Sequence, residues 1–211
     1  MLHTEFIPAV EKNSRPLFVV LHGLGDSIEG WRWLPGALDL PGMNYLLVNA
    51  PDEYYGGYSW FEFPGDAAPG IRRSRQLLFE LLDDLRAKNF PADQITLGGF
   101  SQGSLMALET GLRYPHRLAG IVGLSGWVFE IEKLIRDLTP VAKSQRLLVT
   151  HGRFDPLLPF AESRRQIQQL QAAGLNITWR EFPKQHEIYG AEEIAAIREF
   201  VRAGAAGNKA A

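Results

Sequence analysis

Short apolar runs rich in β-branched residues punctuate the chain at positions 17–21, 45–48, 95–98, 118–124, 147–150 and 177–180. Most are continuous rather than alternating, the pattern of strands buried on both faces of a parallel sheet. Between them the apolar positions switch to helical spacing. Ile71, Leu78, Leu81, Leu82 and Leu85 form one set; Phe160, Ile167 and Leu170 form a second, with Gly174 placed as a stop; Ile194, Ile197 and Val201 form a third. Strand and helix alternate, which predicts an α/β fold with a mostly parallel central sheet and helices on both faces. No repeat, linker or low-complexity block divides the pattern. It predicts one domain over residues 1–203 and a flexible C-terminal tail over 204–211.

Two segments break the alternation. Residues 50–70 are rich in Gly and Pro and carry Tyr54, Tyr55, Tyr58, Trp60, Phe61 and Phe63; residues 126–140 follow a strand and carry Trp127, Val128 and Phe129. Long loops of this kind are usually functional or disordered, and their aromatic density argues for order.

Composition narrows the function classes. The chain has 211 residues, 45% hydrophobic and 22% charged, with a formal net charge of -2. That is an ordinary globular balance, and without a basic tract it gives no case for nucleic acid as a partner. The absence of cysteine excludes disulfides, thiolate zinc sites and a cysteine nucleophile together. The first sixteen residues scatter Glu5, Glu11, Lys12 and Arg15 among apolar positions, which is no secretory h-region. Apolar runs fall far short of the ~18 residues a membrane span needs. A soluble, cytoplasmic protein is expected. The histidines show no paired ligand spacing, so no metal is expected.

The chemistry begins at Gly99-Phe100-Ser101-Gln102-Gly103, a Gly-x-Ser-x-Gly match. It follows the strand at 95–98 and opens a helix at 104–113, the strand–turn–helix setting of a nucleophile elbow. The turn is sharp, so its flanking residues must be small, as Gly99 and Gly103 are. The plain alternative is a serine that caps the helix. A phosphate loop would need a lysine where Ser104 stands.

A serine nucleophile needs an imidazole within hydrogen-bond reach and a carboxylate on the other ring nitrogen. In chains with this elbow, the acid and then the histidine follow the serine. Asp155 lies just beyond the strand at 147–150, and His186 follows the next strand, so their loops can meet above the sheet. His151 sits too near its own strand and reads as structural; His116 reads as a solvated turn residue. Glu187 and Asp137 compete less well for the acid role, the first because it adjoins His186 and the second because it lies in the insertion. The strand at 17–21 runs into His22-Gly23-Leu24-Gly25-Asp26-Ser27. Backbone N–H groups of Leu24 and Gln102 are the candidate oxyanion donors. A dinucleotide loop is disfavoured because Ile28 stands where a third glycine would be needed.

With these pieces in place, the sequence resembles the carboxylesterase/acyl-protein thioesterase branch of the α/β-hydrolases, the phospholipase/carboxylesterase family. The resemblance rests on Leu21-His22-Gly23-Leu24-Gly25-Asp26-Ser27, Ala50-Pro51, Gly99-Phe100-Ser101-Gln102-Gly103-Ser104 and the run from His151 to Pro159, in that order. It implies a minimal α/β-hydrolase fold without a large cap domain, acting on small or lipid-like acyl esters and thioesters without a cofactor. It carries Ser101, Asp155 and His186 over as triad, with Leu24 and Gln102 as oxyanion donors. Where that family usually shows a glycine just before the histidine, this chain has Lys184-Gln185. An apolar acyl site of short-to-medium reach is expected, lined by Trp60, Trp127, Phe129, Leu157 and Leu158. Exposed loop aromatics could support a homodimer. The competing functions are a hydrolase-fold binding protein without turnover and a peptidase on the same fold.

Overall fold

The computed structural model describes residues 1–206. A seven-stranded sheet runs through the molecule in the order β1 (Thr4–Ile7), β3 (Asn44–Val48), β2 (Leu17–Leu21), β6 (Ile95–Phe100), β7 (Gly120–Leu124), β8 (Arg146–Gly152) and β9 (Asn176–Phe182). All neighbours pair in parallel except β1, which lies antiparallel on β3. A separate antiparallel hairpin joins β4 (Asp52–Tyr54) to β5 (Gly57–Ser59). The helices are α1 (Leu34–Leu38), α2 (Ala67–Ala87), α3 (Gln102–Gly111), α4 (Ile131–Arg136), α5 (Phe160–Ala172) and α6 (Gly190–Ala206).

The continuous apolar runs have a direct cause. Alternate side chains of each inner strand enter opposite cores. Leu17, Val19 and Leu21 of β2 pack in one cluster with Ile71 and Leu78 of α2, Leu105 and Leu108 of α3, and Ile167 and Leu170 of α5. Phe18 and Val20 join the other cluster with Leu34 and Leu38 of α1 and Ile194, Ile197 and Val201 of α6. A strand covered on both faces has no solvent side on which to place polar residues.

The segment at 50–70 is ordered. Its β4–β5 hairpin grips the loop after β2: Gly25 N–H donates to Tyr58 O and Tyr58 N–H to Asp26 O, each at 2.9 Å. Asp66 then caps α2, accepting from the Ala68 N–H at 3.1 Å. The insertion at 126–140 contains α4 and leans on α5, with Val128 N–H donating to Gln166 Oε1 at 2.8 Å. The expected tail begins too early. Helix α6 continues through Ala206 because Gly204 is buried against the backbone of Ala119 and the side chain of Arg146; residues 207–211 lie outside the described residues. Among the described residues, no helix is long and apolar enough to cross a membrane.

Candidate active site

Every element of the site lies at the C-terminal edge of the parallel strands, where loops from neighbouring strands converge. Ser101 sits between β6 and α3 with φ 54° and ψ −117°, a conformation that a side chain adopts only when its surroundings enforce it. The enforcement is steric. A Cβ on Gly103 would lie 2.2 Å from the Leu21 carbonyl oxygen, and one on Gly99 would lie 2.4 Å from the Gly103 backbone. Helix, β6 and β2 therefore meet backbone to backbone, and the serine is thrust out of the turn.

His186 is reached from the loop after β9, and Asp155 from the loop after β8. The Asp155 carboxylate accepts N–H bonds from Leu157 and Leu158 on Oδ1, both at 2.9 Å. Its Oδ2 lies 2.7 Å from His186 Nδ1, and His186 Nε2 lies 2.9 Å from Ser101 Oγ. Burial acts to raise the Asp155 carboxyl, but the hydrogen bonds from His186 and from Leu158 and Leu157 outweigh it, and the net shift is downward. An ionised carboxylate can only accept, so Nδ1 carries the proton and Nε2 is free to accept from the serine hydroxyl. Phe100 packs against the imidazole with ring centroids 4.9 Å apart.

The rival groups are otherwise engaged. His151 Nε2–H donates to Leu158 O at 2.9 Å and lies farther, 3.6 Å, from Asp155 Oδ2, and its ring stacks on Trp179. Burial lowers its pKa. His116 is half-buried and packs edge-on against Tyr114. Glu187 accepts from the Gln185 N–H, and Asp137 pairs with Arg113.

The loop after β2 is shaped by a buried histidine. Ala50 N–H donates to His22 Nε2 at 3.0 Å, so Nδ1 is the protonated nitrogen and donates to Gly23 O at 2.6 Å. Burial depresses the His22 pKa and keeps the ring neutral. Among the described residues, neither the Leu24 N–H nor the Gln102 N–H has a hydrogen-bond partner. Both residues border the cavity that holds Ser101.

That cavity has a volume of about 330 Å³ and is walled by Phe63, Phe100, Trp127, Leu157 and Leu158 beside Ser101 and His186. Three of the residues expected in an acyl site, Trp127, Leu157 and Leu158, are thus brought to it. Trp60 is not: it is fully buried, and its indole N–H donates to His22 O at 2.9 Å, the partner a buried indole requires. Phe129 is not there either; the chain turns into α4 beyond it, and its ring lines a separate hollow with Ile71 and Phe79. Phe63 and Phe100 were not singled out from the sequence as lining residues, although one lies in the aromatic segment and the other within the elbow motif. No group of three or more His, Cys, Asp or Glu side chains among the described residues could hold a metal ion.

Comparison with known proteins agrees with this architecture. The family model for phospholipase/carboxylesterase matches residues 2–204. Acyl-protein thioesterase 1 of Schizosaccharomyces pombe is 32% identical over 212 residues, covering 92% of each chain. Acyl-protein thioesterase 1 of Debaryomyces hansenii is 28% identical over 225 residues, covering 94% of this chain and 97% of its own. Among solved structures, esterase PE8 superposes with a TM-score of 0.86 at 28% identity, covering 95% of this chain and 98% of its own. Zea mays acyl-protein thioesterase 2 gives 0.80 at 26% identity, covering 96% and 99%. The chain is a hydrolase of α/β-hydrolase fold and belongs to the phospholipase/carboxylesterase family.

Proposed function

We propose that this chain hydrolyses carboxylic esters or thioesters through a Ser101–His186–Asp155 triad and an acyl-enzyme intermediate. The observation that carries the reading is the unbroken hydrogen-bond chain from Asp155 Oδ2 through His186 to Ser101 Oγ, at 2.7 and 2.9 Å. Ser101 Oγ attacks the acyl carbonyl while His186 Nε2 takes its proton. The N–H groups of Leu24 and Gln102 hold the developing oxyanion. His186 then protonates the leaving alcohol or thiol, and water, activated by the same nitrogen, releases the acid.

The cavity supports an apolar acyl group of short-to-medium length, because Phe63, Phe100, Trp127, Leu157 and Leu158 make most of its wall and its volume is about 330 Å³. Acyl-protein thioesterases among the relatives make a thioester the alternative to a simple ester. Fluorophosphonate labelling followed by peptide mapping tests the reading. A single adduct on Ser101, absent in His186→Ala, is expected. No adduct on folded protein would favour a binding protein without turnover, and full activity in Ser101→Ala would overturn the triad.

A further inference from the structure

Two residues before His186, a lysine is buried where a charge is expensive. The side chains of Lys184 and Glu193 are both 0% exposed, with Nζ 2.7 Å from Oε1 and 2.8 Å from Oε2. The third ammonium proton goes to the Glu187 carbonyl at 2.7 Å. Three donors thus meet three fixed acceptors. Glu193 in turn accepts the Tyr189 N–H at 2.5 Å and the hydroxyl of Thr150 on β8.

The placement of these contacts matters more than their number. Lys184 and Glu187 flank His186, and the ammonium closes the turn between them. The main chain of the same lysine ties the other limb: its carbonyl accepts the Phe154 N–H at 3.1 Å, immediately before Asp155. Contact there is backbone on backbone, since a Cβ on Gly152 would lie 2.5 Å from the carbonyls of both Lys184 and Gln185. One residue therefore fixes the loop of the acid and the loop of the base.

Stability alone does not account for the pair. Burying two charges carries a desolvation cost, and well-packed apolar residues of similar volume often do as well or better. What an apolar pair lacks is a single required geometry. We propose that Lys184, through its buried pair with Glu193, is a positioning residue that sets the His186 imidazole between Asp155 and Ser101. This rests on the triad reading above.

The test is the double variant Lys184→Met/Glu193→Leu, assayed for kcat and KM with a p-nitrophenyl ester beside its thermal midpoint. A folded variant with kcat lowered about 10- to 100-fold and KM within twofold is expected, since a misplacement near 1 Å has that effect. Wild-type kcat in the folded variant, or a loss confined to KM, would overturn the proposal. Should the double variant not fold, the isosteric Glu193→Gln decides: lowered kcat at constant KM supports it, and unchanged kcat overturns it. Ser101→Ala is run alongside. Full activity there would overturn the triad and this inference with it; inactivity there, with wild-type kcat in the double variant, overturns this inference alone.

Discussion

Gln102 holds the backbone of Trp60: its Oε1 accepts the Trp60 N–H at 3.0 Å, while its Nε2 donates to Phe61 O at 3.2 Å. The residue after Ser101 thus anchors the aromatic segment with its side chain, leaving its own N–H free. Gln102→Ala keeps that N–H but orphans a buried one at Trp60. A loss of about 1–3 kcal/mol in urea denaturation is expected; an unchanged midpoint would show that the anchor is dispensable.

Asp155→Asn keeps an acceptor for the Leu157 and Leu158 N–H groups but presents an amide N–H to His186 Nδ1. The imidazole is then driven to the tautomer that cannot accept from Ser101. The expected kcat falls by on the order of 10³–10⁴-fold with the circular dichroism unchanged. A loss below tenfold would mean that Asp155 does not orient the base.

Gly103→Ala should be among the most damaging single-methyl additions in the molecule. Its Cβ would meet the Leu21 carbonyl at 2.2 Å, and neither strand nor helix can retreat. At least about 1–3 kcal/mol of destabilisation is expected. Gly36→Ala in α1 is the control: nothing lies within 4 Å of its Cβ, and the thermal midpoint should hold or rise.

Trp127→Ala enlarges the cavity at its apolar wall, so the preferred acyl chain should lengthen, with kcat/KM for longer esters rising relative to acetate. Trp60→Ala should instead destabilise the fold by about 3–5 kcal/mol and leave the order of chain preference intact. Profiles measured on a series of p-nitrophenyl esters separate the two; an unaltered profile in Trp127→Ala would place the acyl group elsewhere.

Stability should fall as pH drops below about 6.5. His22 and His151 have depressed pKa values, both through burial, so the unfolded chain takes up protons near the ordinary histidine value while the folded chain does not. The stabilisation is complete above that value and is lost on acidification, by at most about 1.4 kcal/mol per pH unit for each group. Urea midpoints at pH 7.5 and 5.5 provide the check, and equal values would contradict it.

The sheet was legible because its strands are covered on both faces and so write continuous apolar runs. Strand β1 was not: it is an edge strand with half-exposed positions, as its Phe6 at 46% exposure illustrates, and it leaves no such run. The β4–β5 hairpin escaped for a related reason, being three residues a side and set by its grip on Gly25 and Asp26 rather than by local pattern. At the site, the elbow motif and the chain order of Ser101, Asp155 and His186 are written in the sequence, and the three side chains lie in hydrogen-bond contact. Cavity walls are not written so. Trp60 and Trp127 look alike as sequence, and only the partner that each ring finds separates a core residue from a wall. The Lys184–Glu193 pair was equally hidden, because both residue types ordinarily signal a solvated surface.

The hydrogen bond between His186 and Ser101 joins positions 85 apart in the chain, while that between His186 and Asp155 spans 31. Three parallel strands, β7, β8 and β9, lie between the elbow and the imidazole along the chain. Closing contacts so distant in sequence costs more chain entropy than closing local ones. Recovery of reactivity at Ser101 during renaturation is therefore a clock for completion of the sheet, trailing the return of helical signal.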